Sequence, residues 1–167
     1  EQSCCLCFIT DDRSAKFLHL GGCEHEGAPI ECCWWLDEAG VQFRIAGHTI
    51  LATAQTTDPV IRAAADEVWD RLQTNTKQQF FWPHPGLRKD LASVPLDVRK
   101  GPDGEPLMEA SHFALIIVVP DSVDELHLGG NQKRFLYRRE GQSSSNDALE
   151  MLAALRSASW SEVAVNP

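Results

Sequence analysis

The 167-residue chain is 43% hydrophobic and 23% charged, the balance of one ordinary globular domain with a core of its own. Its 24 acids against 15 bases leave a formal charge of -9, which argues against a nucleic-acid or anionic-membrane surface and confines any anion site to a local basic patch. No apolar run approaches the roughly 20 residues of a membrane-spanning helix.

Residues 4–10, CCLCFIT, read as a buried strand that ends abruptly in Asp11, Asp12, Arg13, Ser14 and Lys16. Two readings of this turn stand. It is a solvated loop whose acids neutralise its bases, or it is an anion site. In the second, Lys16 begins a helical turn, and N-terminal N–H groups join Arg13, Ser14 and Lys16 around a phosphate. Residues 30–36 and 41–47 then form a hairpin across Asp37-Glu38-Ala39-Gly40, with glycine free to take a positive φ. Val41, Phe43 and Ile45 alternate with Gln42 and Arg44, which therefore share a polar face. Gln42 carries both a donor and an acceptor, so it is either a solvated strand residue or one that reads a heterocycle edge. Residues 48–54 read as a further strand.

Asp58-Pro59 starts a helix by a capping carboxylate and a proline at the first position, with Ile61, Ala65, Val68 and Leu72 as its apolar stripe. Residues 73–111 read as irregular, with prolines at 83, 85, 95, 102 and 106 and residues 101–104 as the disordered piece. Trp82, within QFFWPHPG, packs in the core or stacks on a ring. Strands return at 113–119, 123–128 and 133–139, where Arg134 reads by itself as an edge-strand charge. A helix over 147–156, with Leu149, Leu152 and Leu155 sharing part of a face, and a strand over 160–165 close the chain. About eight strands and two helices without regular alternation predict an antiparallel barrel or sandwich with helical additions.

The chain has no G-x-G-x-x-G, Walker loop, H-E-x-x-H or G-x-S-x-G, so the usual marks of dinucleotide, nucleotide, metalloprotease and acyl-transfer chemistry are missing. Cys4, Cys5, Cys7, Cys32 and Cys33 lie in apolar runs and read as small hydrophobes. Cys23, His25, Cys32 and Cys33 make a formal zinc set, but adjacent cysteines on a strand point to opposite faces, and no metal is expected. The start without methionine, cap or leader has two readings, a preceding segment absent from this chain or residues 1–3 as what remains of it, and targeting signals are not readable from it. A cytoplasmic location is the default, with organellar targeting left open.

TDDRSAK, the hairpin carrying VQFRIAG, Trp69-x-Arg71-Leu72 leading to QFFWPHPG, Gly129-Gly130 before KRFLYRR, and Trp160…VNP occur in that order. This layout resembles a divergent branch of the pyridoxamine 5'-phosphate oxidase family over nearly the whole chain. The resemblance implies a mainly β (α+β) split β-barrel with peripheral helices, a single domain over residues 1–167, and a homodimer with FMN at the subunit interface. By the same resemblance Ile9 and Thr10 lie along the flavin, Arg13, Ser14 and Lys16 hold its phosphate, Gln42 meets the isoalloxazine edge, and Arg134 reaches it from the other subunit. No catalytic side chain is assigned.

The implied activity is an FMN-dependent oxidase of vitamin B6 metabolism acting on pyridoxamine or pyridoxine 5'-phosphate. The alternatives are an FMN reductase or other flavoenzyme with a different small-molecule substrate, and a non-catalytic FMN-binding protein. Four departures from better-known members weigh against pyridoxamine phosphate as the substrate, the short segment before Arg134 above all. The turn reads Ser14-Ala15-Lys16 where better-known members have S-R-K. His127 stands at their tryptophan. The segment before Arg134 is short and lacks their substrate-binding arginine and histidine, and their first strand has no counterpart here.

Overall fold

The computed structural model describes residues 5–21, 27–88, 104–141 and 147–167. The elements in chain order are β1 (Leu6–Asp11), α1 (Ala15–His19), β2 (Pro29–Leu36), β3 (Val41–Thr53), α2 (Pro59–Arg71) and α3 (Thr74–Gln79). A short 3₁₀ turn (Met108–Ala110) precedes β4 (Phe113–His127), β5 (Lys133–Arg139), α4 (Ala148–Arg156) and β6 (Trp160–Val165). The strands form one six-stranded sheet in the order β2-β3-β4-β5-β6, with β1 pairing β4 off that path.

The chain gathers into two compact units, residues 1–6, 26–50 and 118–167 in one, and 7–25 and 51–117 in the other. In the first, β2 and β3 pair antiparallel from Leu36 opposite Val41 to Pro29 opposite His48. Their turn closes as expected: Gly40 takes φ +61°, and its N–H donates to the Asp37 carbonyl at 3.1 Å. Further along β3, a Cβ on Gly47 would lie 2.1 Å from the Val119 carbonyl oxygen and 2.9 Å from the Pro120 Cα, so only glycine fits there. β5 pairs antiparallel with both β4 and β6, so Leu126 faces Arg134 and Arg134 faces Val165. Arg139 is buried and ion-paired to Asp121, whose other oxygen is hydrogen-bonded to His48 Nδ1 at 2.6 Å. Asp147 caps α4 by accepting from Glu150 N at 2.9 Å. The buried face of that helix is Ala148 and Met151 rather than the expected leucine set, because Leu149 turns outward at 41% exposure.

In the second unit, Asp58 caps α2 by accepting from the N–H groups of Val60 and Ile61, both at 2.9 Å, with Pro59 behind it. Its buried stripe is Ile61, Ala65 and Trp69. Val68 and Leu72, expected in the stripe, are only half-buried; the larger indole takes the inward position, and the helix stops at Arg71. Trp69, Phe80 and Phe113 form an edge-to-face aromatic cluster, with Phe113 5.2 Å from each of the other two rings. The buried Lys77 ammonium lies 5.6 Å from the Trp69 ring.

Several expectations change. Residues 41–47 and 48–54 are one strand, β3, and 113–119 and 123–128 are one strand, β4, so six strands replace eight among the described residues. Neither join carries a turn. The β4–β5 ladder begins at Ser122, so Pro120 is not asked to donate in it. Residues 73–111, expected to be irregular, contain α3 and the 3₁₀ turn. Residues 101–103, the part of the disordered piece before Gly104, lie outside the described residues, as do the start of the chain and Cys4.

Candidate functional site

The turn after β1 lies in the second unit and begins where the strand's apolar residues run out. Ile9 and Thr10 are half-buried at the end of β1. The Ser14 N–H donates to the Asp11 carbonyl at 3.0 Å, closing the turn, and Ser14 Oγ accepts from Phe17 N at 3.3 Å, capping α1. Thr10 Oγ1 and Ser14 Oγ are 3.0 Å apart. Phe17, at 3% exposure, anchors this short helix in the core. The helix therefore starts at Ala15, one residue before the expected Lys16.

The two adjacent acids have separate tasks. Asp11 grips Arg13 three times: it accepts from the backbone N–H at 2.8 Å, from Nε at 2.9 Å and from Nη2 at 2.7 Å. Nη2 also donates to the Trp82 carbonyl at 2.9 Å. Burial disfavours the Asp11 carboxylate, but the hydrogen bonds and charge of Arg13 outweigh that and hold its pKa below the usual value. Asp12 turns the other way. Its N–H donates to the His112 carbonyl at 2.9 Å, and its carboxylate is hydrogen-bonded to His112 Nδ1 at 2.8 Å.

What this leaves for an anion is limited and specific. Among the described residues Arg13 has partners for Nε and Nη2 and none for Nη1, and the Ser14 hydroxyl is already engaged by Phe17 N and Thr10. Lys16 is exposed, with its ammonium 5.5 Å from the Phe8 ring and no carboxylate partner among the described residues. Trp82 is 52% exposed, so it is not the core residue that one reading allowed.

The first unit holds a second cluster on one face of the sheet. Gln42, Arg44, Asp124, Leu126 and Arg134 line an open cleft of about 130 Å³. Gln42 and Arg134 were expected at a binding site, and the fold brings these two together. Arg134 donates to both oxygens of Asp124, Nε at 2.9 Å and Nη2 at 2.8 Å, a side-on pair diagonal across β4 and β5. The hydrogen bond from Arg134, opposed by partial burial and aided by the charges of Arg134 and Arg44, holds the Asp124 carboxyl below its usual range. Arg44 and the Gln42 side chain have no hydrogen-bond partner among the described residues.

Sequence reasoning missed Asp124 and gave Arg44 a place on the strand face but no task. Its one signal was two-residue alternation, which puts Arg44 beside Gln42 and Asp124 on the face of Leu126. On the opposite face Tyr137 donates its hydroxyl to Glu125 at 2.9 Å, and burial together with that carboxylate pushes its pKa up to about 12. Cys7 and Cys32 have thiols whose pKa is raised by burial. Among the described residues no three His, Cys, Asp or Glu side chains converge as a metal set, and Cys23 and His25 lie outside those residues. No helix of the described residues is long and apolar enough to cross a membrane.

Known proteins resemble this chain in sequence and in fold. Residues 1–53 match the family of the pyridoxamine 5'-phosphate oxidase FMN-binding domain, a segment that carries the β1 turn and Gln42. A pyridoxamine 5'-phosphate oxidase-related, FMN-binding protein from Nostoc punctiforme PCC 73102 is 31% identical over 100% of this chain and 75% of its own, with a TM-score of 0.72. PhzG from Burkholderia lata 383, solved in complex with tetrahydrophenazine-1-carboxylic acid, superimposes with a TM-score of 0.55 over 96% of this chain and 68% of its own. At 14% identity that likeness is one of fold. No curated protein matches significantly. With the mainly β architecture and the 31% identity in agreement, the chain belongs to the pyridoxamine 5'-phosphate oxidase-related family and has a fold of the split β-barrel type.

Proposed function

We propose that this protein binds FMN and acts as an oxidoreductase of the pyridoxamine/pyridoxine 5'-phosphate oxidase type. Family membership supports the flavin. The observation that carries the reading is the β1 turn, where a clamped arginine and a lysine with no carboxylate partner among the described residues flank the capping Ser14. In the proposal, Lys16 and the free Nη1 of Arg13 meet the FMN phosphate, with Ser14 shaping the turn. Ile9 and Thr10 line the flavin, and the cleft that holds both Gln42 and Arg134 meets the ring edge from the partner subunit.

Bound flavin would accept a hydride from a substrate carbon bearing an amine or alcohol and pass the electrons to oxygen, giving hydrogen peroxide. The chain's own part is to orient and to supply charge: Asp124 fixes the Arg134 guanidinium, and Asp11 fixes that of Arg13. We further propose that residues 1–167 act as one FMN-binding domain paired as a homodimer. Trp34, Trp35, Trp160 and Val163, exposed by 50, 43, 38 and 56%, support a partner on this sheet.

Purified protein should be yellow, bind FMN in titration, and release peroxide on adding pyridoxamine or pyridoxine 5'-phosphate, in keeping with a role in vitamin B6 metabolism. Protein that takes up no FMN would end the scheme. A second reading, an FMN reductase or other flavoenzyme on another substrate, is favoured by the connection from β4 to β5. Residues 128–132 are Leu, Gly, Gly, Asn and Gln, all exposed, and none carries a charge with which to hold a substrate phosphate. Bleaching of the flavin by NADPH without peroxide from the phosphorylated vitamer would select this reading, and a bound flavin inert to both would mark a non-catalytic FMN-binding protein.

A further inference from the structure

We infer that Asp12 and His112 are a positioning pair for the anion site of the β1 turn: His112 holds the Asp12 carboxylate off the phosphate and fixes the peptide that carries Arg13. The charges of the turn point there. Asp11 and Asp12 cancel Arg13 and Lys16, so the turn attracts an anion only if both acids are engaged elsewhere. Asp11 is taken by Arg13 Nε and Nη2. Asp12 stands next to Arg13 in the chain, and its carboxylate is taken by His112 Nδ1 at 2.8 Å. An ionised carboxylate only accepts, so the imidazole donates this bond.

The anchor behind His112 is rigid. His112 directly precedes Phe113, which is fully buried and lies 5.2 Å from the rings of both Trp69 and Phe80. The His112 N–H donates to the Phe80 carbonyl at 3.0 Å, and the His112 carbonyl accepts from Asp12 N at 2.9 Å. Two residues past Phe80, the Trp82 carbonyl accepts from Arg13 Nη2 at 2.9 Å. The turn is thus tied twice to residues 80–82, through His112 at Asp12 and directly at Arg13. These ties hold the peptide between Asp12 and Arg13 from both ends and set the start of α1, where Ser14 caps and Lys16 follows. The imidazole is 43% exposed and the carboxylate 23%, so the pair adds little to global stability and its effect is local. A brace with no bearing on the anion would make the same contacts, and the two roles differ in what is lost when the pair is broken.

The positioning role rests on the proposed phosphate at this turn, and the test separates the two. FMN and riboflavin affinities are measured by fluorescence titration for the wild type, Asp12→Asn, Asp12→Ala and His112→Ala. Asparagine and alanine both remove the charge, but only asparagine keeps an oxygen for the imidazole. Asp12→Ala should therefore bind FMN about threefold to tenfold more weakly than Asp12→Asn, the size of one lost hydrogen bond, while riboflavin binds both alike. His112→Ala bares the carboxylate and should weaken FMN relative to riboflavin, and adding Asp12→Asn should recover part of that loss. Equal FMN affinity in the two Asp12 variants overturns the inference. So does a loss shared equally by FMN and riboflavin, the mark of a brace. If the chain takes no FMN, the flavin reading fails, and inorganic phosphate, followed by the amide NMR shifts of residues 14–17, reads the same variants. Phosphate that binds and weakens from Asp12→Asn to Asp12→Ala sustains the pair's role; phosphate that binds both alike, or not at all, ends it.

Discussion

The turn after β1 and the cleft on the sheet repeat one arrangement. In each a carboxylate grips an arginine side-on, and a cation with no carboxylate hydrogen-bonded to it among the described residues stands close by: Asp11, Arg13 and Lys16 in the turn, Asp124, Arg134 and Arg44 in the cleft. They differ in how the grip is built. The turn closes its grip within three residues and ties it to the Trp82 carbonyl, while Asp12 fastens the same loop to His112. The cleft joins two strands through residues ten positions apart, and among the described residues Arg134 has no other hydrogen-bond partner. The contrast teaches that a gripped arginine contributes geometry and an ungripped cation contributes charge.

The largest test of that division is in the turn. Replacing Arg13 and Lys16 together with alanine should cost several kcal/mol of FMN affinity, at about 1.5–3 kcal/mol per charge-assisted contact. Fluorescence titration of FMN gives the answer, and an unchanged affinity would remove the phosphate from this turn. A smaller effect sharpens the comparison. Arg13→Ala by itself bares the Asp11 carboxylate beside the proposed phosphate, so adding Asp11→Asn should recover about 1 kcal/mol. Strict additivity of the two changes would mean the grip is irrelevant to binding.

Smaller still are the effects on stability. Asp11→Asn should lower the melting temperature more than Asp124→Asn, since only Asp11 also accepts from a backbone N–H. The reverse order would show that the cross-strand pair matters more to the fold. Both carboxyls ionise below their usual range, so each grip acts fully above the ordinary carboxylate pKa of about 4 and is lost as pH falls through the lower folded value. Urea unfolding should therefore show a plateau from about pH 8 to 5 as far as these pairs are concerned. The acid decline should be shallower in the double Asp→Asn variant, the Asp11 share amounting to at most ~1 kcal/mol after solvent screening.

Local chemistry was legible in the residues. Gly40 in its hairpin, Asp58-Pro59 at the start of α2 and the helical turn after Ser14 all follow from rules that span four residues or fewer. The long strands were not, because Pro120 in β4 looks like a break until its place outside the β5 ladder is known. Trp69 displaced Val68 from the buried stripe of α2 for a reason that lies in Phe80 and Phe113, outside the helix. Of the two acids in the turn, Asp11 has a partner two residues away and was within reach of sequence reasoning. Asp12 has one a hundred residues away and was not. Asp124 escaped for the same reason as Pro120: its meaning depends on which strand lies alongside.

Gly47 ties these points together. The β3 backbone comes so near Val119 and Pro120 that the spacer between the strands is a single hydrogen atom. Gln42 and Arg44 sit on the same strand a few residues upstream, and Asp124 a few residues past Pro120 on the other. A methyl group at position 47 would act as a wedge between the two walls, widening the gap between Arg44 and Asp124 without touching either. The spacing of the cleft's charges is thus set at a position that bears no side chain at all.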